Sequence, residues 1–288
     1  MKTRFYFLDM DEKFTRLESS RYVLLPVAYD GTSTFMKGAD HGPQAILDAS
    51  DSLELYDPVY DLEAYISGIY TDHYTYDFRT PETMVESVYH RVHSFLEQQK
   101  TVGLLGGEHS ISIGAIKATS EFFPDLSVLQ IDAHADLREE YMGSMNNHAC
   151  VMRRAQECTD VVQVGIRSIC KEELPYVVDD NIFYAHQIQD NEAWMDKASR
   201  RLSRHVYLSI DLDGLDPSEL PATGTPMPGG LRWYSLLSFL EKVIKNHTIV
   251  AFDVVELCPH PHDKRSDVLS ALLVYKIITM IQFYANCF

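Results

Sequence analysis

Short apolar and β-branched runs recur along the chain at residues 22–28, 102–105, 128–131, 161–164, 181–184, 206–210 and 250–255. They do not alternate apolar with polar positions. A strand that is apolar on both faces belongs inside a parallel sheet covered on both sides. Between these runs lie stretches with helical spacing at 81–99, 110–122, 191–203, 232–245 and 266–284. In the first of them Val85, Val88, Val92, Phe95 and Leu96 recur on one face behind Pro81, which suits a first helical position whose N–H would have no partner. The alternation of strand and helix predicts a three-layer α-β-α sandwich with a mainly parallel central sheet, right-handed crossovers and helices on both faces. No linker, repeat or low-complexity tract interrupts it, so residues 1–288 are expected to form a single domain. The Pro- and Gly-rich segment 217–230 can continue neither a helix nor a central strand and is expected to be an ordered loop. Residues 29–43 form a second expected loop, after the first strand.

Three of the predicted strands run directly into clusters of potential metal ligands: Gly106-Gly107-Glu108-His109-Ser110, Asp132-Ala133-His134-Ala135-Asp136, and Asp211-Leu212-Asp213-Gly214-Leu215-Asp216-Pro217. Ligands of open α/β sheets bind outside the carboxyl ends of the strands, where all three clusters fall. Alternation on extended backbone would put Asp132, His134 and Asp136 on one face, and Asp211 with Asp213 on another. Two imidazoles and four carboxylates exceed the needs of one tetrahedral zinc. They suit a pair of divalent ions sharing carboxylates, and the mixed N/O set is of the manganese type.

Composition narrows the alternatives. A formal net charge of −17 without any Lys/Arg block argues against nucleic acid or an anionic membrane as partner, and a cationic ligand would meet a favourable field. Simple solubility explains the acidity equally well. The cysteines Cys150, Cys158, Cys170, Cys258 and Cys287 are odd in number and form no CxxC pair, so neither a disulfide framework nor a zinc ribbon is expected. Residues 1–11 lack a basic segment followed by an apolar one, which makes cytoplasmic residence the expectation. The apolar run 268–288 carries Lys276 near its middle, where a bilayer would charge roughly 2.5–3.5 kcal/mol, so a buried last helix is expected instead.

The GGEHS, DAHAD and SIDLDGLDP motifs together resemble the ureohydrolase family, which includes agmatinase, arginase, guanidinobutyrase and formimidoylglutamase. The likeness extends from the loop 31–43 through the three motifs to Phe252-Asp253-Val254-Val255-Glu256-Leu257. It implies the arginase/deacetylase-like fold and two Mn2+ per subunit. One ion would be held by His109, Asp132, Asp136 and Asp211, the other by Asp132, His134, Asp211 and Asp213, with Asp132 and Asp211 bridging. The charges of two divalent ions and four carboxylates then nearly cancel, and hydroxide is available near neutrality.

By the same resemblance Glu256 would hold the guanidinium through paired hydrogen bonds, and His148, in Asn146-Asn147-His148-Ala149-Cys150, would carry a proton to the departing amine. Either could instead be a solvated residue at a strand end or in a loop. Asp253 reads as a residue that orients a ligand. Glu108 reads equally as such a residue or as an acid favoured by a helix N-terminus. His41, His260 and His262 read as solvated loop residues, and Cys150 and Cys258 have no paired base in the sequence.

The expected reaction is hydrolysis of a small cationic guanidino compound to urea and an amine. Agmatine, giving putrescine for polyamine biosynthesis, is the first-choice substrate, because the segments around Asp132 and His148 resemble agmatinases. Ser144-x-Asn146-x-His148 has arginase-like spacing, which keeps arginine as the alternative, with guanidinobutyrate beside it. A noncatalytic metal-binding protein and a deacetylase are the rival readings. The resemblance also implies a homotrimer or homohexamer.

Overall fold

The computed structural model describes residues 6–189 and 192–285. Along the chain the elements are β1 (Tyr22–Val27), α1 (Gly42–Ser50), β2 (Ile69–Thr71), α2 (Pro81–Leu96), β3 (Thr101–Gly106), α3 (Ile111–Phe122), β4 (Leu126–Ile131), α4 (Val151–Ala155), β5 (Asp160–Ile166), β6 (Ile182–Tyr184), α5 (Ala193–Ser199), β7 (His205–Asp211), α6 (Trp233–Asn246), β8 (Thr248–Val255) and α7 (Arg265–Ala285). The eight strands form one sheet in the order β2-β1-β3-β8-β7-β4-β5-β6. Every pairing is parallel. Parallel neighbours need crossovers, and the helices that provide them cover both faces. Ile46 of α1, Trp194 of α5, Leu236 of α6 and Leu273 of α7 pack into one core. Met84 and Val88 of α2, Ile116 of α3 and Val151 of α4 pack into the other. The expected three-layer sandwich is the observed one.

All seven predicted strands are present, but β2 was missed. It is three residues long and has too little sequence to show a period. Helix α1 was also missed, because Gly42-Pro43 reads as the end of a loop; here Pro43 lies in the first turn of a helix. Helix α2 opens with a capping box, the Thr80 hydroxyl accepting the Thr83 N–H while the Thr83 hydroxyl accepts the Thr80 N–H. Its buried face runs through Met84, Val88, Val92, Phe95 and Leu96, so Met84 rather than Val85 starts the stripe. Asn191, the predicted start of the helix observed as α5, and Cys287 lie outside the described residues.

Helix α7 is long and apolar enough to cross a membrane by length and composition alone. It is a core helix instead: Leu273, Val274, Ile277 and Ile278 are fully buried. Lys276 reaches the largely buried Asp57, Nζ to Oδ2 at 2.6 Å. The ion pair explains how a cation is tolerated in so apolar a run.

The topology places the site. The chain leaves β3 for β4 and later returns to lay β7 and β8 between them. The carboxyl ends of β3, β8, β7 and β4 are thereby neighbours, and three of these strands carry the predicted clusters.

Candidate metal centre

The ligand-type residues meet in a cavity of about 260 Å3 lined by His109, His134, Asp136, His148, Asp211 and Glu256, among others. His109 follows β3, in the turn before α3. Its backbone can take this path because Gly107 lies against Tyr29, where a Cβ would come within 1.9 Å of the Tyr29 carbonyl oxygen. Asp211 ends β7, and Asp213 lies in the short 3-10 turn that follows. Gly214 closes this turn against β4, leaving no room for a Cβ, which would sit 2.8 Å from the Asp132 nitrogen.

The expected face-sharing on extended backbone is not how the aspartates converge. Asp136 has φ +52° and Asp213 is in a helical turn. Turns, not strand alternation, aim these carboxylates. Backbone groups then fix them: the Asp132 carboxylate accepts the His134 N–H at 2.6 Å, Asp211 accepts the Asp213 N–H at 2.9 Å, and Asp213 accepts the Ala133 N–H at 3.1 Å. The 132–136 segment is supported from β5, since the Arg167 and Ser168 N–H groups both donate to the Ala133 carbonyl.

Two groups of candidate ligand atoms result, His109 with Asp132 and Asp211, and Asp132 with His134 and Asp213, so Asp132 is common to both. His109 Nδ1 stands 3.0 Å from Asp136 Oδ2, 3.3 Å from Asp132 Oδ2 and 3.5 Å from Asp211 Oδ2. It is buried and makes no hydrogen bond. An orphaned ring nitrogen facing three carboxylate oxygens fits a cation between them. Octahedral ligands about 2.1 Å from an ion lie about 3 Å from one another. His134 Nδ1 stands 3.0 Å from Asp213 Oδ2 and 3.6 Å from Asp132 Oδ1.

The electrostatics tell the same story. Burial, followed by the charge of Asp132, raises the Asp136 pKa to about 7. Burial, Asp213 and Asp132 push Asp211 well above the carboxylate range. Burial opposes a charged His109, but Asp132, Asp136 and Asp211 outweigh it and hold its pKa far above the ordinary value. Such crowded negative charge calls for positive charge at its centre.

The ring of His109 is held from behind. Its Nε2 is 2.9 Å from Ser209 Oγ, and the Ser209 hydroxyl donates to Asp253 Oδ1 at 2.9 Å. Asp253 also accepts from Tyr207 Oη at 2.7 Å. Asp253 thus has the orienting place expected of it. With the hydroxyl proton committed to Asp253, Ser209 can only accept from His109 Nε2–H, so the Nδ1 lone pair faces the carboxylates. Ser209 sits inside an apolar strand and carried no signal of its own.

Glu256 follows β8 with φ +67°, and its Oε1 accepts the His109 N–H at 2.8 Å. A side chain held in left-handed backbone beside a cavity is a common mark of a working site. Glu108 is fully buried and accepts from the N–H and hydroxyl of both Ser110 and Thr32. It therefore caps the turn before α3 and also reaches across to the loop after β1. Thr32 in turn contacts His148, which lines the cavity. Burial, with the positive charges of His109, His134 and Lys37, lowers the His148 pKa to about 4.

Loop 217–230 packs on the site through Thr225, whose hydroxyl donates to Asp213 Oδ2 at 3.0 Å. Arg167 was not singled out by the sequence. Its guanidinium donates to the carbonyls of Gly165, Asp213 and Met227 at 3.0, 2.6 and 2.7 Å, tying the loop to β5 and β7. His41, His260 and His262 are exposed, as expected. Cys150 is buried, and burial pushes its thiol up to about 12, which leaves no thiolate for nucleophilic attack.

The arginase family model matches residues 20–280. The N(1)-aminopropylagmatine ureohydrolase of Synechocystis sp. is 37% identical over 93% of this chain and 91% of its own length. The agmatinase of Pyrococcus horikoshii is 31% identical over 94% and 96%. A crystal structure of the agmatine ureohydrolase of Thermoplasma volcanium superposes with a TM-score of 0.85 at 31% identity, covering 93% of this chain and 92% of the other.

Proposed function

The chain belongs to the arginase family, and from that premise we propose that it hydrolyses the guanidinium group of a small cationic amine to urea and the free amine. The observation that carries the reading is the pair of ligand groups sharing Asp132 beside Glu256 and His148 in one cavity. His109, Asp132, Asp136 and Asp211 would hold one divalent ion and Asp132, His134, Asp211 and Asp213 a second, with Mn2+ the metal suited to this N/O set. When bound, such a pair supplies Lewis acidity and lowers the pKa of water beside the substrate carbon.

The protein's own residues orient the substrate and handle its proton. Glu256 Oε1 already accepts the His109 N–H, so a guanidinium is met chiefly by Oε2. That contact positions the planar group over the metal centre. The neutral His148 takes a proton from solvent and delivers it to the departing amine.

Agmatine remains the first-choice substrate over arginine. The donors that an arginine carboxylate would need are already engaged: Ser144 Oγ donates to Glu82 at 3.0 Å, Asn146 Nδ2 lies 3.4 Å from the same oxygen, and Arg138 pairs with Glu172 at 3.2 Å. A second reading, N(1)-aminopropylagmatine, is favoured by the 37% identity to the Synechocystis protein of that name. Urea release after chelation and Mn2+ reloading, measured on agmatine, N(1)-aminopropylagmatine, arginine and guanidinobutyrate, tests both. One of the first two should exceed arginine in kcat/KM by at least about a hundredfold. Preference for arginine would overturn the substrate reading, and no urea from any of the four would overturn the function.

A further inference from the structure

The loop after β1 brings Thr32 between a buried carboxylate and the histidine at the cavity. Thr32 Oγ1 is 2.8 Å from Glu108 Oε1, 3.0 Å from the His148 backbone nitrogen and 3.1 Å from His148 Nδ1. A threonine hydroxyl has one proton and two lone pairs. The backbone N–H of His148 can only donate, so it takes one lone pair. The four groups facing Glu108 are the N–H and hydroxyl of Thr32 and of Ser110. The Thr32 hydroxyl donates to Glu108 Oε1 at 2.8 Å, so its one proton points to Glu108. One lone pair remains, and it faces Nδ1. The ring must then carry its proton on Nδ1, while Nε2 has no hydrogen-bond partner among the described residues.

We infer that Thr32, anchored by Glu108, is a positioning residue that fixes His148 as the Nδ1–H tautomer and so presents Nε2 as the proton-accepting atom. The inference rests on the proposed role of His148. Free imidazole side chains lack this bias, and in the other tautomer the proton-accepting nitrogen would be aimed at Thr32 instead of the cavity. The proton that travels is taken from water at Nε2 and given from Nε2 to the amine nitrogen as its bond to the guanidinium carbon breaks. The Nδ1 proton stays in place throughout, donating to Thr32 before and after. While His148 is an imidazolium, the carboxylate of Glu108 stands one hydroxyl away from its charge.

The test is Thr32→Val, nearly isosteric and unable to accept or donate, beside Thr32→Ser, which restores the hydroxyl. Thr32→Val is expected to lower kcat by about tenfold to a hundredfold, part of what a positioned acid–base group supplies, with KM and Mn2+ content unchanged; Thr32→Ser should recover most of it. In 15N NMR of the metal-free protein, with His148 assigned through His148→Ala, the wild type and Thr32→Ser should show the Nδ1–H tautomer and Thr32→Val a mixture. Normal turnover in Thr32→Val, an unchanged tautomer, or equal loss in Thr32→Val and Thr32→Ser overturns the inference. If His148→Ala is impaired while Thr32→Val is normal, only the positioning role fails. If His148→Ala turns over at the wild-type rate, the proposed role of His148 fails with it.

Discussion

Replacing Arg167 with methionine removes a side chain that joins the end of β5, the turn carrying Asp213 and loop 217–230. The bonds to the carbonyls of the buried residues Gly165 and Asp213, at 3.0 and 2.6 Å, are shielded from solvent more than the others. Each contributes about 1–1.5 kcal/mol net. The bond to Met227 at 2.7 Å is partly open to water and adds less, and the exposed Pro228 carbonyl can be rehydrated. Burial of the guanidinium, which lowers its pKa, offsets some of this gain. The balance is about 2–3 kcal/mol lost in Arg167→Met. At about 2.1 cal/mol/K per residue the unfolding entropy of a chain this size is about 0.6 kcal/mol/K, so the melting temperature should fall by about 3–5 °C. Arg167→Lys, with a point charge in place of a fork, should recover less than half of that. Turnover should suffer more than stability, because a shift of Asp213 and Thr225 by about 1 Å can cost a hundredfold. Calorimetry and urea release on the same preparations decide it. A melting shift below about 1 °C with normal turnover would refute the idea that this guanidinium holds the loop.

Two further outcomes follow from the hydrogen bonds around the centre. Ser209→Ala should weaken Mn2+ affinity by about tenfold to a hundredfold by releasing His109 Nε2 and Asp253, as read by competition with a chelator; wild-type affinity would mean that packing alone orients the ring. Asp216, whose carboxylate accepts from the hydroxyl and N–H of Ser218 and the N–H groups of Gly229 and Gly230, has its pKa lowered from 3.8 to about 2. Its contribution to stability is full above pH 4 and is lost as pH falls through about 2. The stability gap between wild type and Asp216→Asn should therefore close over that window, and a gap constant from pH 6 to pH 2 would contradict the assignment.

The sandwich and the position of its site were legible because both rest on patterns with a physical period. Unbroken apolar runs such as that in β1 mark strands covered on two faces, and acids and histidines at strand ends mark the edge where an α/β sheet binds ligands. The short strand β2 and the helix α1 were not legible. Three residues have no period, and a Gly-Pro pair is written alike at the end of a loop and at the start of a helix. The conformation of the ligand segments was misread for a related reason. Alternating ligands in DAHAD suggest a strand, but the left-handed Asp136 and the 3-10 turn at Asp213 are set by contacts made far away in sequence, such as Arg167 and Ser168 with the Ala133 carbonyl.

The same limit explains why Ser209 and Thr32 escaped notice, although they stand in equivalent places. Each hydroxyl lies between a buried carboxylate and an imidazole, Asp253 behind His109 and Glu108 behind His148. Because a hydroxyl has a single proton and the carboxylate takes it, the imidazole on the other side must donate. At His109 that nitrogen is Nε2, and the lone pair left over is Nδ1, among the aspartates. At His148 it is Nδ1, and the lone pair left over is Nε2. One chemical device therefore yields opposite tautomers, a ligand in one case and a proton acceptor in the other, and the difference is which ring edge the backbone turns toward the hydroxyl. Sequence shows that the histidines exist; only the packing of the loop after β1 on the turn before α3, and of β7 on β8, decides which nitrogen each one offers.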